Sequence, residues 1–247
     1  MKKTIKTILS ATALTLMAAG SALATPSTQI WIPSTDIQAF GTAHLGIDNY
    51  IRTSKDPNYG NTKTPNVYDL GLTFGLLPFE KVQLEAGIDY LVSGLASDST
   101  PLYFNWKLGT PEESLFKFSP ALAVGMYNMG TKTGATQQNI AYGLAAKTLP
   151  VVGRLSFGGY HGSETLLGKG QNDGVLASWD RTLSELSDKV WVAVDYMSGN
   201  NANGAFSFGV SYAFAKNVSV IFGYDIYNNV NTGGKNTFTT QLDINFP

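Results

Sequence analysis

The 247-residue chain contains no cysteine and only two histidines, His44 and His161. A disulfide framework, a cysteine-based metal site and a Cys-x-x-Cys-His haem attachment are therefore excluded. Charge is scarce too: Asp, Glu, Lys and Arg make up 14% of the residues, against about 25% in an ordinary soluble domain. Long hydrophobic runs are missing beyond the N-terminus. No later stretch approaches the roughly 18 apolar residues of a membrane-spanning helix, so a helical membrane protein is excluded. The single Gly168-Lys169-Gly170 lacks the Ser or Thr of a phosphate-binding loop. Nucleotide hydrolysis and redox catalysis have no residues to work with, and neither a cofactor nor a metal site is expected.

What the chain does have begins with a leader. Lys2, Lys3 and Lys6 precede an apolar core from Ile8 to Met17, and Ser21-Ala22-Leu23-Ala24 offers small residues for a cut after Ala24. These are the parts of a secretory signal peptide over residues 1–24. The leader takes three of the 17 basic residues and none of the 18 acidic ones, leaving a balance of −4. A nucleic-acid-binding surface is not expected from that charge.

The exported remainder alternates with period two. Val82, Leu84, Ala86, Ile88 and Tyr90 interleave with Gln83, Glu85, Gly87 and Asp89. Phe238, Leu242, Ile244 and Phe246 share one parity near the C-terminus, with Thr239, Gln241, Asp243 and Asn245 on the other. Such alternation marks strands. Twelve segments can be read, from 38–51, 66–77 and 81–92 through to 204–214, 217–228 and 237–247. Connections beginning near Leu77, Thr110, Leu149, Leu183 and Ala215 read as short. Those beginning near Arg52, Ser93, Met129, Gly162, Gly199 and Asn229 read as longer, polar loops. Spanning strands of about 10 residues each leave sensible connections for twelve, too much loop for eight and too little for sixteen.

The two faces distinguish a barrel from a soluble sandwich. Leu70, Leu72 and Phe74, or Phe206, Phe208 and Val210, form large uncharged faces opposite small or polar ones. A sandwich would instead expose a charged parity. Short turns at one end, longer polar loops at the other, aromatics at strand ends and the terminal aromatic Phe246 complete the pattern. Together they resemble the Gram-negative outer-membrane β-barrel, porin-like family. The resemblance implies an all-β fold: a closed antiparallel up-and-down barrel of about 12 strands over residues 37–247. It further implies residence in the bacterial outer membrane, contact with its lipid, and recognition by the barrel-assembly machinery through the strand ending at Phe246. Residues 25–36 are assigned to an N-terminal periplasmic extension. Either Trp31 and Ile32 anchor it at the periplasmic surface, or the segment enters the lumen.

With the apolar parity towards lipid, the other lines the lumen. Its acidic candidates are Asp48, Asp69, Glu85, Asp89, Asp180, Asp195, Asp225 and Asp243; the basic ones are Lys107, Lys147 and Arg154. That excess of carboxylate requires water in part of the interior. It also predicts a passive channel for small hydrophilic solutes that favours cations, with Glu85, Asp89, Asp195 and Asp225 setting selectivity. Small inward residues, including Ala121, Ala123, Gly125, Ala141, Gly143, Ala145, Ser156 and Gly158, predict a wide vestibule. Tyr50, Tyr103, Tyr127, Tyr160 and Tyr227 share one level near the long-loop ends and predict a constriction made by side chains. Asp beside an aromatic recurs at Gly46–Tyr50, Gly87–Tyr90, Val194–Tyr196 and Gly223–Tyr227, as expected where a lumen acid meets an interfacial aromatic.

Two other functions remain. His161 and Ser163 share an outward face, an arrangement similar to that of outer-membrane lipid acyl hydrolases, although Glu164 points away on a regular strand. A closed structural or receptor barrel, its interior filled and its loops binding a partner, is the other.

Overall fold

A computed structural model describes residues 27–94 and 96–247. The expected leader, together with Thr25 and Pro26, lies outside the described residues. Twelve strands follow one another as β1 (Ala43–Arg52), β2 (Val67–Gly75), β3 (Gln83–Val92), β4 (Leu102–Thr110), β5 (Ala121–Gly130) and β6 (Gln137–Leu149), then β7 (Gly153–His161), β8 (Asp173–Thr182), β9 (Val190–Met197), β10 (Ala205–Ala215), β11 (Val218–Tyr227) and β12 (Thr237–Phe246). Among the described residues helical turns occur only in connections, one of them α1 (Glu164–Leu167). Each strand pairs antiparallel with its sequence neighbours, and β1 pairs with β12 from Ala43↔Phe246 to Arg52↔Thr237. The sheet is thus a closed meander with no free edge.

The predicted segments match these strands within a few residues, except at the start. Residues 38–42 do not extend β1. They cross the barrel mouth, where Phe40 forms a parallel bridge to Gly75 and Gly41 turns the chain with φ 75°. A Cβ on Gly75 would stand 1.9 Å from the Ala39 carbonyl oxygen, so only glycine admits this crossing. The 111–120 connection, expected to be short, is as long as several at the opposite end.

The outer surface is a belt of large apolar side chains. Leu70, Phe74, Ile88, Phe104, Val124, Phe157, Phe208 and Phe222 are each more than 40% exposed. Tyr68, Tyr90 and Phe206 lie towards the long-loop end, and Phe79, Phe214 and Phe246 towards the other, as interfacial girdles do. Exposure of this kind around a whole closed sheet is costly in water and favourable in hydrocarbon.

The interior departs from expectation on β6. Ile140, Tyr142, Leu144 and Ala146 are buried inside, while Ala141, Gly143 and Ala145 face outward. The reason is size matching across the ladder. Inward Tyr142 and Leu144 lie opposite Gly125 and Ala123 of β5, and Leu144 lies opposite Gly158 of β7. The small inward residues of β5 and β7 therefore receive their neighbours' bulk and leave no vestibule. Lys147, on the parity of Ala145, is not in the lumen; its Nζ lies 3.5 Å from Glu113 and 3.9 Å from Glu112.

Candidate functional site: a partly plugged lumen

Residues 27–34 form a hairpin that stands inside the barrel. Ser34 donates its N–H to the Ser27 carbonyl, Gln29 donates to that of Ile32, and Thr28 bridges Pro33. Ile30 and Trp31 form the tip. The segment assigned to a periplasmic extension thus takes the alternative course into the lumen. Its fit to the wall supplies the reason, because inward-facing side chains from several strands bond its backbone and pack on its apolar residues.

At the short-turn end, Lys107 and Glu85 are completely buried and 3.1 Å apart. Lys107 Nζ also donates to the carbonyls of Ser27 (2.8 Å) and Asp36 (2.6 Å), using its full set of donors. Glu85 accepts from the Ser27 N–H and hydroxyl and from the Gln38 N–H. One ion pair therefore clamps both legs of the segment. Beside it, Arg154 bridges Asp36 (2.6 Å) and Asp180 (2.9 Å), and Asp180 also accepts from Gln29 and Trp191. Burial opposes the charge of Asp36, but Arg154 and then Lys107 hold its carboxyl below the ordinary value of 3.8.

The tip is held by Asp195, one of whose oxygens accepts backbone N–H groups from Ile30 (2.8 Å), Trp31 (2.8 Å) and Ile32 (3.4 Å). Gln241 donates to the Ile30 carbonyl, and the Trp31 indole to that of Asn203. Ile32 packs into a buried cluster with Ile140, Leu144, Leu176 and Met197; Ile30 packs on Ala193 and Ile221. An apolar inner wall on β6, β8, β9 and β11 thus meets the apolar residues of the hairpin.

Above the hairpin a cavity of about 310 Å³ remains. Ile30 and Trp31 contribute to its lining, Asp48, Asp69 and Asp89 form one wall, and the long-loop residues Thr136, Ala202 and Thr232 border its mouth. Four of the five expected tyrosines, Tyr50, Tyr103, Tyr127 and Tyr227, line it. Tyr160 instead joins the buried cluster and is bonded to Ser198 and Asn201. Trp31 meets Tyr50 and Tyr227 edge-on at 5.3 and 5.5 Å. The space expected beneath the tyrosines is filled by the hairpin, so the barrier at this level comes from the chain's own N-terminal segment as well as from wall side chains.

Of the lumen carboxylates, Asp48, Asp69 and Asp89 reach the cavity, whereas Glu85 and Asp195 hold the hairpin. Asp225 is buried and accepts from the Thr237 hydroxyl. Sequence reasoning missed Trp31 as a cavity residue and overlooked Arg52. Arg52 donates to the carbonyls of Gly233 and Lys235 and lies 5.3 Å from the Tyr227 ring centroid. Its inward parity with Asp48 and Tyr50 was the available signal.

His161 is exposed, and its Nδ1 contacts Asp173, its register partner on β8. Ser163 stands beyond the end of β7 as the N-cap of α1, where its backbone N–H donates to Gln138. No hydrogen bond joins His161 to Ser163 among the described residues. Nor is any group of three or more His, Cys, Asp or Glu arranged to hold a metal ion among them.

No protein-family model and no curated protein matches the chain. Solved structures do. The COG4313 outer membrane channel from Pseudomonas putida F1 aligns with a TM-score of 0.50 at 12% identity, over 85% of this chain and 96% of that one. The KdgM porin gives 0.48 at 8%, over 83% and 98%. A mutant of the Rh. blastica porin gives 0.43 at 13%, over 94% and 68%. At such identities the likeness of the first is one of fold alone, a closed antiparallel β-barrel.

Proposed function

We propose that this chain is an outer-membrane, porin-like channel for small hydrophilic solutes, modestly favouring cations, with residues 27–38 acting as its internal plug. The supporting observation is the acidic cavity of about 310 Å³ inside a closed barrel sheathed in apolar side chains. A passage lined by carboxylates admits cations more readily than anions. In this conformation the cavity ends on the hairpin, so permeation requires the hairpin to shift. Export by the leader cleaved after Ala24 and membrane insertion through the strand ending at Phe246 belong to the same proposal.

Planar-bilayer recording of refolded protein tests it. The expected result is discrete conductance that is small and infrequent for the wild type, and larger once residues 25–36 are removed. Under a KCl gradient the reversal potential should lie on the cation side. Correctly folded protein that conducts in neither form would end the channel reading. It would favour the closed receptor barrel, for which the filled lower lumen is the specific observation.

A further inference from the structure

We infer that the acidic wall of the cavity is a binding site for a small organic cation with N–H donors, an amine or guanidinium entering from the long-loop end; this rests on the reading of the barrel as a passage for solutes. Asp48 of β1 lies directly opposite Asp69 of β2, and Asp89 of β3 lies opposite Gly71, two residues along from Asp69. Like charges facing each other across a ladder repel. The three form no ion pair among the described residues, whose pairs all lie elsewhere. Arg52, the base that shares the cavity, is occupied by two carbonyls and the Tyr227 ring.

The unpartnered oxygens point to a ligand. Asp48 is 7% exposed and Asp89 5%, yet Oδ1 of each is buried without a hydrogen-bond partner, and both residues line the cavity. The second oxygen of Asp89 already accepts from Asn105 at 2.7 Å. Leaving buried acceptors unpaired is costly, and a donor-bearing cation would satisfy both the charge and the lone pairs. A bare metal ion fits poorly, because the carboxylates are not gathered into a metal-binding group. The volume instead falls at the lower end of small-molecule sites, about 300–1,000 Å³. The aromatic residues Trp31, Tyr50 and Tyr227 complete the cavity, and aromatic rings attract organic cations.

The test is calorimetric titration of the refolded mature protein in detergent with cadaverine, tetramethylammonium and 1,5-pentanediol at matched ionic strength. Cadaverine should bind saturably. Tetramethylammonium, which has the charge but no N–H, should bind about tenfold more weakly, and the neutral diol should not bind measurably. Asp48→Asn and Asp89→Asn should each weaken cadaverine by about tenfold, the loss of one charge-assisted bond. Lys147→Gln on the outer face should change nothing. A diol that binds as well as the diamine, Asn variants with wild-type affinity, or a folded wild type with no saturable binding would each overturn the site. The ligand series on the wild type stands even where a variant fails to fold. Binding needs no conductance, so the two readings fail separately: binding without conductance removes the channel, and conductance without binding removes the site.

Discussion

Asp195→Ala should release the tip of the hairpin while leaving the barrel intact. The carboxylate oxygen receives two N–H groups at 2.8 Å and a third at 3.4 Å. Hydrogen bonds to a charged acceptor contribute about 1.5–3 kcal/mol each, but here the three donors share one oxygen. Ile30 and Trp31 also border the cavity, so water can reach the freed N–H groups and offset part of the loss. Two good bonds at the low end of the range give about 3 kcal/mol. At about 1.4 kcal/mol per factor of ten, local opening becomes about a hundredfold more frequent. Asp195→Asn keeps an acceptor and loses the charge; neutral bonds have about half the strength, which predicts about a tenfold effect.

Hydrogen exchange of the refolded protein in micelles reads this directly. Amides of Ile30, Trp31 and Ile32 should exchange about a hundredfold faster in Asp195→Ala. Amides along the β1–β12 seam should keep their wild-type rates. Equal rates at the tip in both proteins would refute the assignment of Asp195 as the latch. A rise spread evenly around the barrel would refute it as well, because the carboxylate would then be supporting the wall.

The clamp and the ladder give two further expectations. Lys107→Met leaves Glu85 buried without its cation and should cost about 3–5 kcal/mol in urea unfolding of the refolded barrel; a cost below about 1 kcal/mol would show that the pair is dispensable. Gly158→Ala places a Cβ 1.9 Å from the Gly143 carbonyl oxygen, whereas the nearest atom to a Cβ at Gly143 is a Val124 methyl at 3.8 Å. Unfolding midpoints should therefore fall for Gly158→Ala, by the equivalent of about 1–3 kcal/mol, and stay near wild type for Gly143→Ala. The opposite order would mean that the β6 and β7 faces are reversed.

The barrel was legible because its signals are local and repeated. Alternation such as Val82 to Tyr90, turns of polar residues, and an uncharged face on strand after strand all follow from one chain passing repeatedly between lipid and lumen. β6 broke the rule that the larger apolar parity faces lipid. Its inward Tyr142 and Leu144 are lumen residues that happen to be apolar, because they pack beside Ile32 and opposite Gly125, Ala123 and Gly158. Lys147 was misplaced by the same inversion. A parity assignment made strand by strand cannot detect this. Comparing sizes between adjacent strands can, since a run of small residues on β5 and another on β7 call for bulk on the strand between them.

The hairpin was harder to read, and the reason lies in how charge is distributed with height. Near the short turns every carboxylate named above has a basic partner: Glu85 has Lys107, Asp36 and Asp180 share Arg154, and His44 lies 3.5 Å from Asp243. Counting lumen acids against lumen bases gave one excess for the whole interior and concealed that division. In the lower lumen each of these carboxylates meets a basic side chain, and this is where the folded segment sits, its own Asp36 joining the pairing. The carboxylates without an ion pair stand higher up, Asp48, Asp69 and Asp89 among them around the remaining cavity. A segment with the sequence Ser27-Thr28-Gln29-Ile30-Trp31-Ile32 suits the first environment on both counts: polar groups for the clamps and apolar ones for the inner wall of β6, β8, β9 and β11. The segment that fills the paired half also forms the floor of the unpaired one, so the depth and shape of the remaining cavity depend on one stretch of chain.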